Sequence, residues 1–159
     1  MQLTATTIDR QMIGRALALA RRASTRGEVP VGAVVYRHNQ ILAEAHNLRE
    51  TEKDPTAHAE IVALRAAAMV VRQWRLDGCS LAVTLEPCPM CAGAMVNARI
   101  ERLVYGAPDP KMGCANTLYE LCTDTRFNHR LTVIGGVLAE PCAEQLRRFF
   151  QDRRGDNSQ

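Results

Sequence analysis

The chain has 159 residues, of which 47% are hydrophobic and 23% charged, and a formal net charge of +3. That length favours one domain with its own core, and the composition excludes a disordered chain or a small disulfide scaffold. The charge is too mild to demand a nucleic-acid partner, but its arginines gather in two places: Arg10, Arg15, Arg21, Arg22 and Arg26 near the start, and Arg147, Arg148, Arg153 and Arg154 near the end. Packed side by side, these segments would make a basic surface; apart, they are solvated helix faces.

Ile8, Met12, Ala16, Leu19 and Ala20 recur at helical spacing and predict a helix over 8–23, with Thr7 as its cap, Gly27 as its stop and Pro30 beyond. Apolar runs at 31–36 and 40–45 flank His38-Asn39 and read as a hairpin. Residues 47–55 form a polar loop. The alanine-rich stretch 57–71 is a helix, with Trp74 capping the core near its end. A buried strand follows at 81–85. Pro89 opens a second helix over 89–98, and 102–105 is another strand. Residues 107–113 hold two prolines and a glycine and form a loop. A short helix is expected at 116–121, a strand at 131–134 and a closing helix at 140–153. Residues 1–154 read as one domain, and 155–159 as a disordered tail. The alternation predicts an α/β domain with a mixed sheet and helices on both faces.

The first eleven residues lack the apolar stretch and cleavage site of a signal peptide, and the longest apolar run, 66–71, is too short to span a bilayer. A reducing cytoplasm is the default compartment. There the six cysteines, Cys79, Cys88, Cys91, Cys114, Cys122 and Cys142, are metal ligands or core residues before they are disulfides.

Two short segments carry the chemistry: His58-Ala59-Glu60 and Pro87-Cys88-Pro89-Met90-Cys91. Alone, each is weak, since a lone His is usually a packed residue and a lone C-x-x-C is often structural or redox-active. Together, each opening a predicted helix, they point to zinc, which takes nitrogen and thiolate ligands in tetrahedral geometry. Unpaired N–H groups at a helix start favour thiolates at Cys88 and Cys91. Three protein ligands leave one position open, as in a catalytic site; a fourth from Cys114 would close it, whereas the length of a strand carries Cys79 away. Glu60, two residues from His58, is placed to take a proton from zinc-activated water and deliver it to a substrate. As a bland alternative, an acidic residue simply favours a helix N-terminus.

At these residues the chain resembles the zinc-dependent cytidine/deoxycytidylate deaminase superfamily, whose signature is H-x-E…P-C-x-x-C. Within it, the chain is most similar to the bacterial tRNA-specific adenosine deaminases, from about Glu28 to Arg154. The blocks are 28–33 (EVPVGA), 54–61 (DPTAHAEI), 84–95 (TLEPCPMCAGAM), 128–130 (NHR), and the tail Phe149-Phe150 with Arg153-Arg154. The resemblance implies a three-layer α/β/α fold around a mixed five-stranded sheet, with one Zn2+ per subunit of a homodimer. It implies hydrolytic deamination of the wobble adenosine, position 34, of a tRNA anticodon stem-loop, in particular an arginine tRNA, by zinc-activated water attacking C6.

By the same resemblance, Asn47 holds the flipped nucleoside, Val29 and Pro30 line its pocket, and Ala59 and Glu60 read the purine edge. Glu86 supports that pocket beside Cys88. Asp109 meets the RNA backbone, and Phe149, Arg153 and Arg154 lie beside the anticodon loop. Pro108 and Pro110 stiffen the loop around Asp109, and Asp152 interrupts the basic tail. Without the resemblance, Phe149 and Phe150 are packing residues, one core and one exposed, and Asn47 is a turn residue. Met90 and Met95 read as core or dimer contacts. Two rival readings remain: a deaminase of a free base or nucleotide such as guanine or cytosine, which should close its pocket with a lid, and a zinc-stabilised RNA-binding module for which Glu60 is dispensable.

Overall fold

The computed structural model of the chain describes residues 3–157. In chain order the elements are α1 (Thr7–Thr25), β1 (Gly32–Arg37), β2 (Gln40–His46), α2 (Ala59–Val71), β3 (Ser80–Leu85), α3 (Pro89–Ala98), β4 (Arg102–Ala107), β5 (Thr132–Ile134) and α4 (Ala139–Asp156), with a 3-10 turn at Leu121–Thr123. The sheet order is β2-β1-β3-β4-β5. β1 runs antiparallel to both β2 and β3, while β3, β4 and β5 are parallel.

Alternation along the strands creates two cores. Ala33 and Val35 of β1, Leu81 and Val83 of β3, and Leu103 and Tyr105 of β4 face α2 and α3. Val34, Tyr36, Ala82 and Val104 face the opposite way, with Met12, Ile13 and Ala16 of α1 and Cys142 of α4. The result is the expected three-layer α/β/α arrangement around five strands. α1 lies directly on β1: a Cβ on Gly32 would run into Ala16 O, with Ala20 N and Leu19 Cβ only 2.9 Å away.

Several local expectations are corrected by tertiary partners. Thr6, not Thr7, caps α1: its hydroxyl accepts from the Asp9 N–H (3.0 Å), and Asp9 Oδ2 accepts from the Thr6 N–H (2.9 Å). Asp9 also accepts from Tyr36 Oη (2.7 Å) and pairs with Arg102 (2.5 Å), so the cap bolts α1 to β1 and β4. Burial opposes ionisation of Asp9, but the bonds from Arg102, Thr6 and Tyr36 outweigh it and hold the carboxyl below its usual range. No helix forms over 116–121: the Leu121 N–H donates to Cys114 O (3.2 Å) rather than to the carbonyl four residues back, and the Leu118 N–H donates to Gly113 O (2.8 Å). Trp74 does not cap the core; it is 63% exposed, with the Arg75 and Arg99 guanidinium groups near its ring. α4 continues through Gly155 and Asp156, past the expected start of the tail, and residues 158–159 lie outside the described part. No described helix is long and apolar enough to cross a membrane.

Candidate active site

His58 and Cys88 occupy the N-cap positions of α2 and α3, both with extended backbone. Neither side chain caps its own helix. They turn toward each other: His58 Nδ1 lies 3.6 Å from Cys88 Sγ and 3.5 Å from Cys91 Sγ. Bonds of about 2.3 Å to sulfur and 2.0–2.1 Å to nitrogen would place neighbouring ligand atoms of a tetrahedron about 3.6 Å apart. The donor set therefore fits zinc in both chemistry and spacing. Among the described residues, these three form the one group of three or more His, Cys, Asp or Glu ligand atoms close enough to share an ion. Cys114 does not join them, and Cys79 sits against Arg37 (3.5 Å).

The three groups hold their protons unevenly. The Cys91 thiol, and then His58, hold Cys88 down to about 4. Cys91 is pushed up by the neighbouring Cys88 sulfur and by burial. The Cys88 sulfur also raises His58. Glu60 is only 4% exposed. Burial pushes its carboxyl up to about 7; its own backbone N–H pulls the other way, and the Cys88 charge adds to the rise. A bound dication would draw it back down.

A cavity of about 220 Å³ opens over these groups, lined by Val29, Val31, Asn47, Arg49, His58, Ala59, Glu60, Leu85, Glu86, Cys88, Asp109 and Met112. This is below the range of about 300–1,000 Å³ that encloses drug-sized ligands. It suits a small planar group such as a single base.

Most of the expected lining residues converge here. Val29, Asn47, Ala59, Glu60, Glu86 and Asp109 all reach the cavity. Pro30 is buried and does not line it; Val31 does. Asn47 is both a pocket residue and a turn residue: its Oδ1 accepts from the Arg49 N–H (3.1 Å), and its Nδ2 reaches Val29 O at 3.4 Å. Arg49 and Met112 were missed, because nothing in loops 47–55 and 107–113 marks one residue as inward-facing.

Glu86 lines the cavity and braces the loop beside it. Its buried carboxylate accepts from the N–H groups of Asp109 (3.1 Å), Ala115 (3.2 Å), Asn116 (2.9 Å) and Thr117 (3.0 Å), and from the Thr117 hydroxyl (2.5 Å). With both oxygens occupied, it holds the loop that carries Asp109 and Met112. Glu28, fully buried, does the same on the opposite lip, accepting from the N–H groups of Glu50 (2.9 Å) and Thr51 (3.0 Å).

The C-terminal residues stand apart from the cavity. Phe149 is buried, edge-to-face with the exposed Phe150 (5.4 Å between centroids). The Arg153 guanidinium lies 4.7 Å from the Phe149 ring centroid and donates to Gly27 O (2.7 Å). Arg154 is exposed. The end of α1 and α4 do form one groove, but Arg21, Arg148 and Arg153 share it with Glu144, Asp152 and Asp156, so the expected basic surface is mixed in sign.

The comparisons agree with this geometry. Residues 6–107 match the cytidine and deoxycytidylate deaminase zinc-binding region. The tRNA-specific adenosine deaminase of Bacillus subtilis is 49% identical over 93% of this chain and 92% of its own. A solved structure from work on A-to-I editing by tRNA:A34 deaminases at the wobble position superposes with a TM-score of 0.82, at 41% identity, over 86% of this chain and 99% of that one. The guanine deaminase of Bacillus subtilis matches more narrowly: TM-score 0.60, 41% identity, 62% of this chain and 63% of that one.

Proposed function

The chain belongs to the cytidine and deoxycytidylate deaminase family, in its tRNA-specific adenosine deaminase branch, and from that premise we propose that it converts the wobble adenosine of an arginine tRNA anticodon to inosine and ammonia. The observation that carries the reading is the open side of the ligand triangle, which faces a cavity sized for one base and walled by a buried carboxylate. His58, Cys88 and Cys91 hold zinc, one ion per subunit. When bound, zinc supplies the Lewis acidity that brings the pKa of a water near neutral.

Glu60 handles the protons. It takes one from the attacking water and gives it to purine N1, then carries the proton of the new C6 hydroxyl to the amine, so that the C6–N bond breaks, ammonia leaves and C6 becomes a carbonyl. Val29, Val31 and Leu85 wall the cavity against solvent, and Asn47 offers its amide to the base or ribose. Glu86 and Glu28 fix the two lips. Anticodon bases are already unpaired, so drawing one into the cavity costs little.

A homodimer is part of the reading. Trp74 is exposed at the hollow between α2 and α3 that Ile61, Leu64, Ala68, Ala94 and Ala98 line, a face suited to a second copy. The reading includes work in the cytoplasm, where a tRNA substrate is met. Deamination of guanine is the second reading, favoured by the narrower match to the Bacillus enzyme.

The test is a substrate comparison with zinc-loaded protein, offering an adenosine-34 anticodon stem-loop, its guanosine-34 counterpart, free guanine and free cytosine. Inosine from the adenosine-34 stem-loop alone is expected, and Glu60→Ala should keep its zinc and lose turnover. Ammonia from guanine alone would move the enzyme to the second reading. Full turnover by Glu60→Ala would sink the assignment of the proton carrier.

A further inference from the structure

Arg49 is the one Lys or Arg among the cavity-lining residues, which otherwise include the carboxylates of Glu60, Glu86 and Asp109. It is exposed at the mouth, near enough to His58 for its charge to bear on the imidazole, and its guanidinium makes no hydrogen bond or ion pair to another described residue. An exposed arginine without a partner is usually a mobile, solvated group. This one is different because its backbone is pinned on every side. Its N–H donates to Asn47 Oδ1 (3.1 Å), and its carbonyl accepts from the Asp54 N–H (3.1 Å). The next two N–H groups, of Glu50 and Thr51, end on the buried Glu28 carboxylate (2.9 and 3.0 Å). The Leu48 N–H donates to Ala57 O (3.0 Å), tying the same loop to the residue before His58.

A cavity of about 220 Å³ has room for a base but little beyond it. For a nucleoside within a chain, the two flanking phosphodiesters must then rest on the rim. On that rim the structure offers one free planar cation, whose forked donors match phosphate oxygens. The loop as a whole is not basic, since Glu50, Glu52 and Asp54 outnumber Arg49 and Lys53. Any attraction is therefore local to one linkage rather than a general field.

We propose that Arg49 is a specificity residue that grips one phosphodiester flanking the nucleoside in the cavity, so that the site prefers a base held in a polynucleotide over the free base. The inference rests on the proposed polynucleotide substrate and names one contact to it. It also gives Glu28 a purpose, as the positioning residue that presents Arg49.

Binding and turnover separate the two ideas. Zinc-loaded Glu60→Ala protein, with and without Arg49→Gln, is titrated with a labelled adenosine-34 stem-loop by fluorescence anisotropy over a range of salt. Arg49→Gln should weaken binding by about tenfold at low salt. It should also flatten the log–log salt slope by about 0.7, the loss of one phosphate contact to a single strand. Arg72→Gln, an exposed arginine at the opposite end of α2, should do neither. A stem-loop with one flanking linkage replaced by an uncharged methylphosphonate should, for the gripped linkage, bind both proteins equally.

Unchanged affinity and slope, or a change no larger than that of Arg72→Gln, would overturn the Arg49 assignment even if unsubstituted protein makes inosine normally. The reverse result, a lost contact in Arg49→Gln but no inosine from unsubstituted protein, would uphold Arg49 and overturn the deamination reading. Failure of the stem-loop to bind at all would overturn both.

Discussion

Replacing Glu86 by Gln should loosen one lip of the cavity without touching the metal ligands. The carboxylate accepts from three N–H groups through Oε2 and from an N–H and a hydroxyl through Oε1. An amide can keep the Oε2 acceptor but must put an NH2 where Oε1 was. The Thr117 hydroxyl can turn and accept, whereas the Asp109 N–H loses its partner at about 1–3 kcal/mol. The three bonds to the remaining oxygen lose their charge, at roughly 0.5–1 kcal/mol each. The sum is about 4 kcal/mol, held in one loop rather than spread over the domain.

That loop can open locally, so the loss should appear first in hydrogen exchange. Protection of the Asn116 and Thr117 amides should fall by about a thousandfold, with a smaller drop in thermal stability. Zinc content should hold, and KM for the stem-loop should rise more than kcat falls. The pH dependence has a fixed sign. Burial opposes ionisation of Glu86, but the bonds from Thr117, Asn116 and Asp109 win and leave its carboxyl below the usual range. Its contribution is therefore present above the unfolded pKa of about 4.3 and fades as pH falls through the depressed folded value. The gap between wild type and Glu86→Gln should be constant at neutral pH and close only in acid. Unchanged amide protection in the variant would refute the anchoring argument.

Cys88→Ala should lose zinc and with it folding stability, because ligand binding and folding are linked; full zinc retention by elemental analysis would remove Cys88 from the ligand set. Gly32→Ala should destabilise by about 2–4 kcal/mol in urea, because the added methyl meets the backbone of α1 at Ala16 and Ala20, and an unmoved midpoint would contradict that close approach. Asp9→Asn should cost about 3–5 kcal/mol by leaving the Arg102 guanidinium with an uncharged partner at the foot of the sheet. Since Asp9 titrates below its ordinary value, that cost should be full at neutral pH and shrink as the wild type is acidified through it. A difference that persists at low pH would mean the ion pair is not its source.

The legible parts of the sequence were those where a residue and its immediate neighbours decide the outcome. The alternation in β1, β3 and β4 announces two buried faces. His58, Cys88 and Cys91 announce themselves because metal chemistry restricts residue type and because both segments open helices. What was hidden depends on partners far along the chain. Thr6 wins the cap of α1 from Thr7 because Asp9, three residues on, is also wanted by Arg102. Residues 116–121 have acceptable helix composition, yet the Leu118 and Leu121 N–H groups turn back to Gly113 and Cys114 in the loop before them. Arg49 looks like any loop arginine until the cavity is seen beside it. Phe149 and Arg153 carry the family pattern, but here they face each other and the end of α1, so pattern alone could not separate packing from recognition.

The two layers of the site differ in how they are built, and this has consequences for change. The ligands and Glu60 sit on the first turns of α2 and α3, whose inner faces are core; moving them means moving the core. The rim is made of two loops, each hung from one buried carboxylate, Glu28 or Glu86, that grips backbone N–H groups rather than particular side chains. A carboxylate that binds backbone is indifferent to most of the side chains the loop displays. The rim residues Arg49, Asp109 and Met112 can therefore be exchanged while the loop keeps its path, provided Glu28 and Glu86 stay. The groups that would hold the metal are fixed by two helix N-termini, and the proposed preference for a base within RNA rests on side chains of two suspended loops.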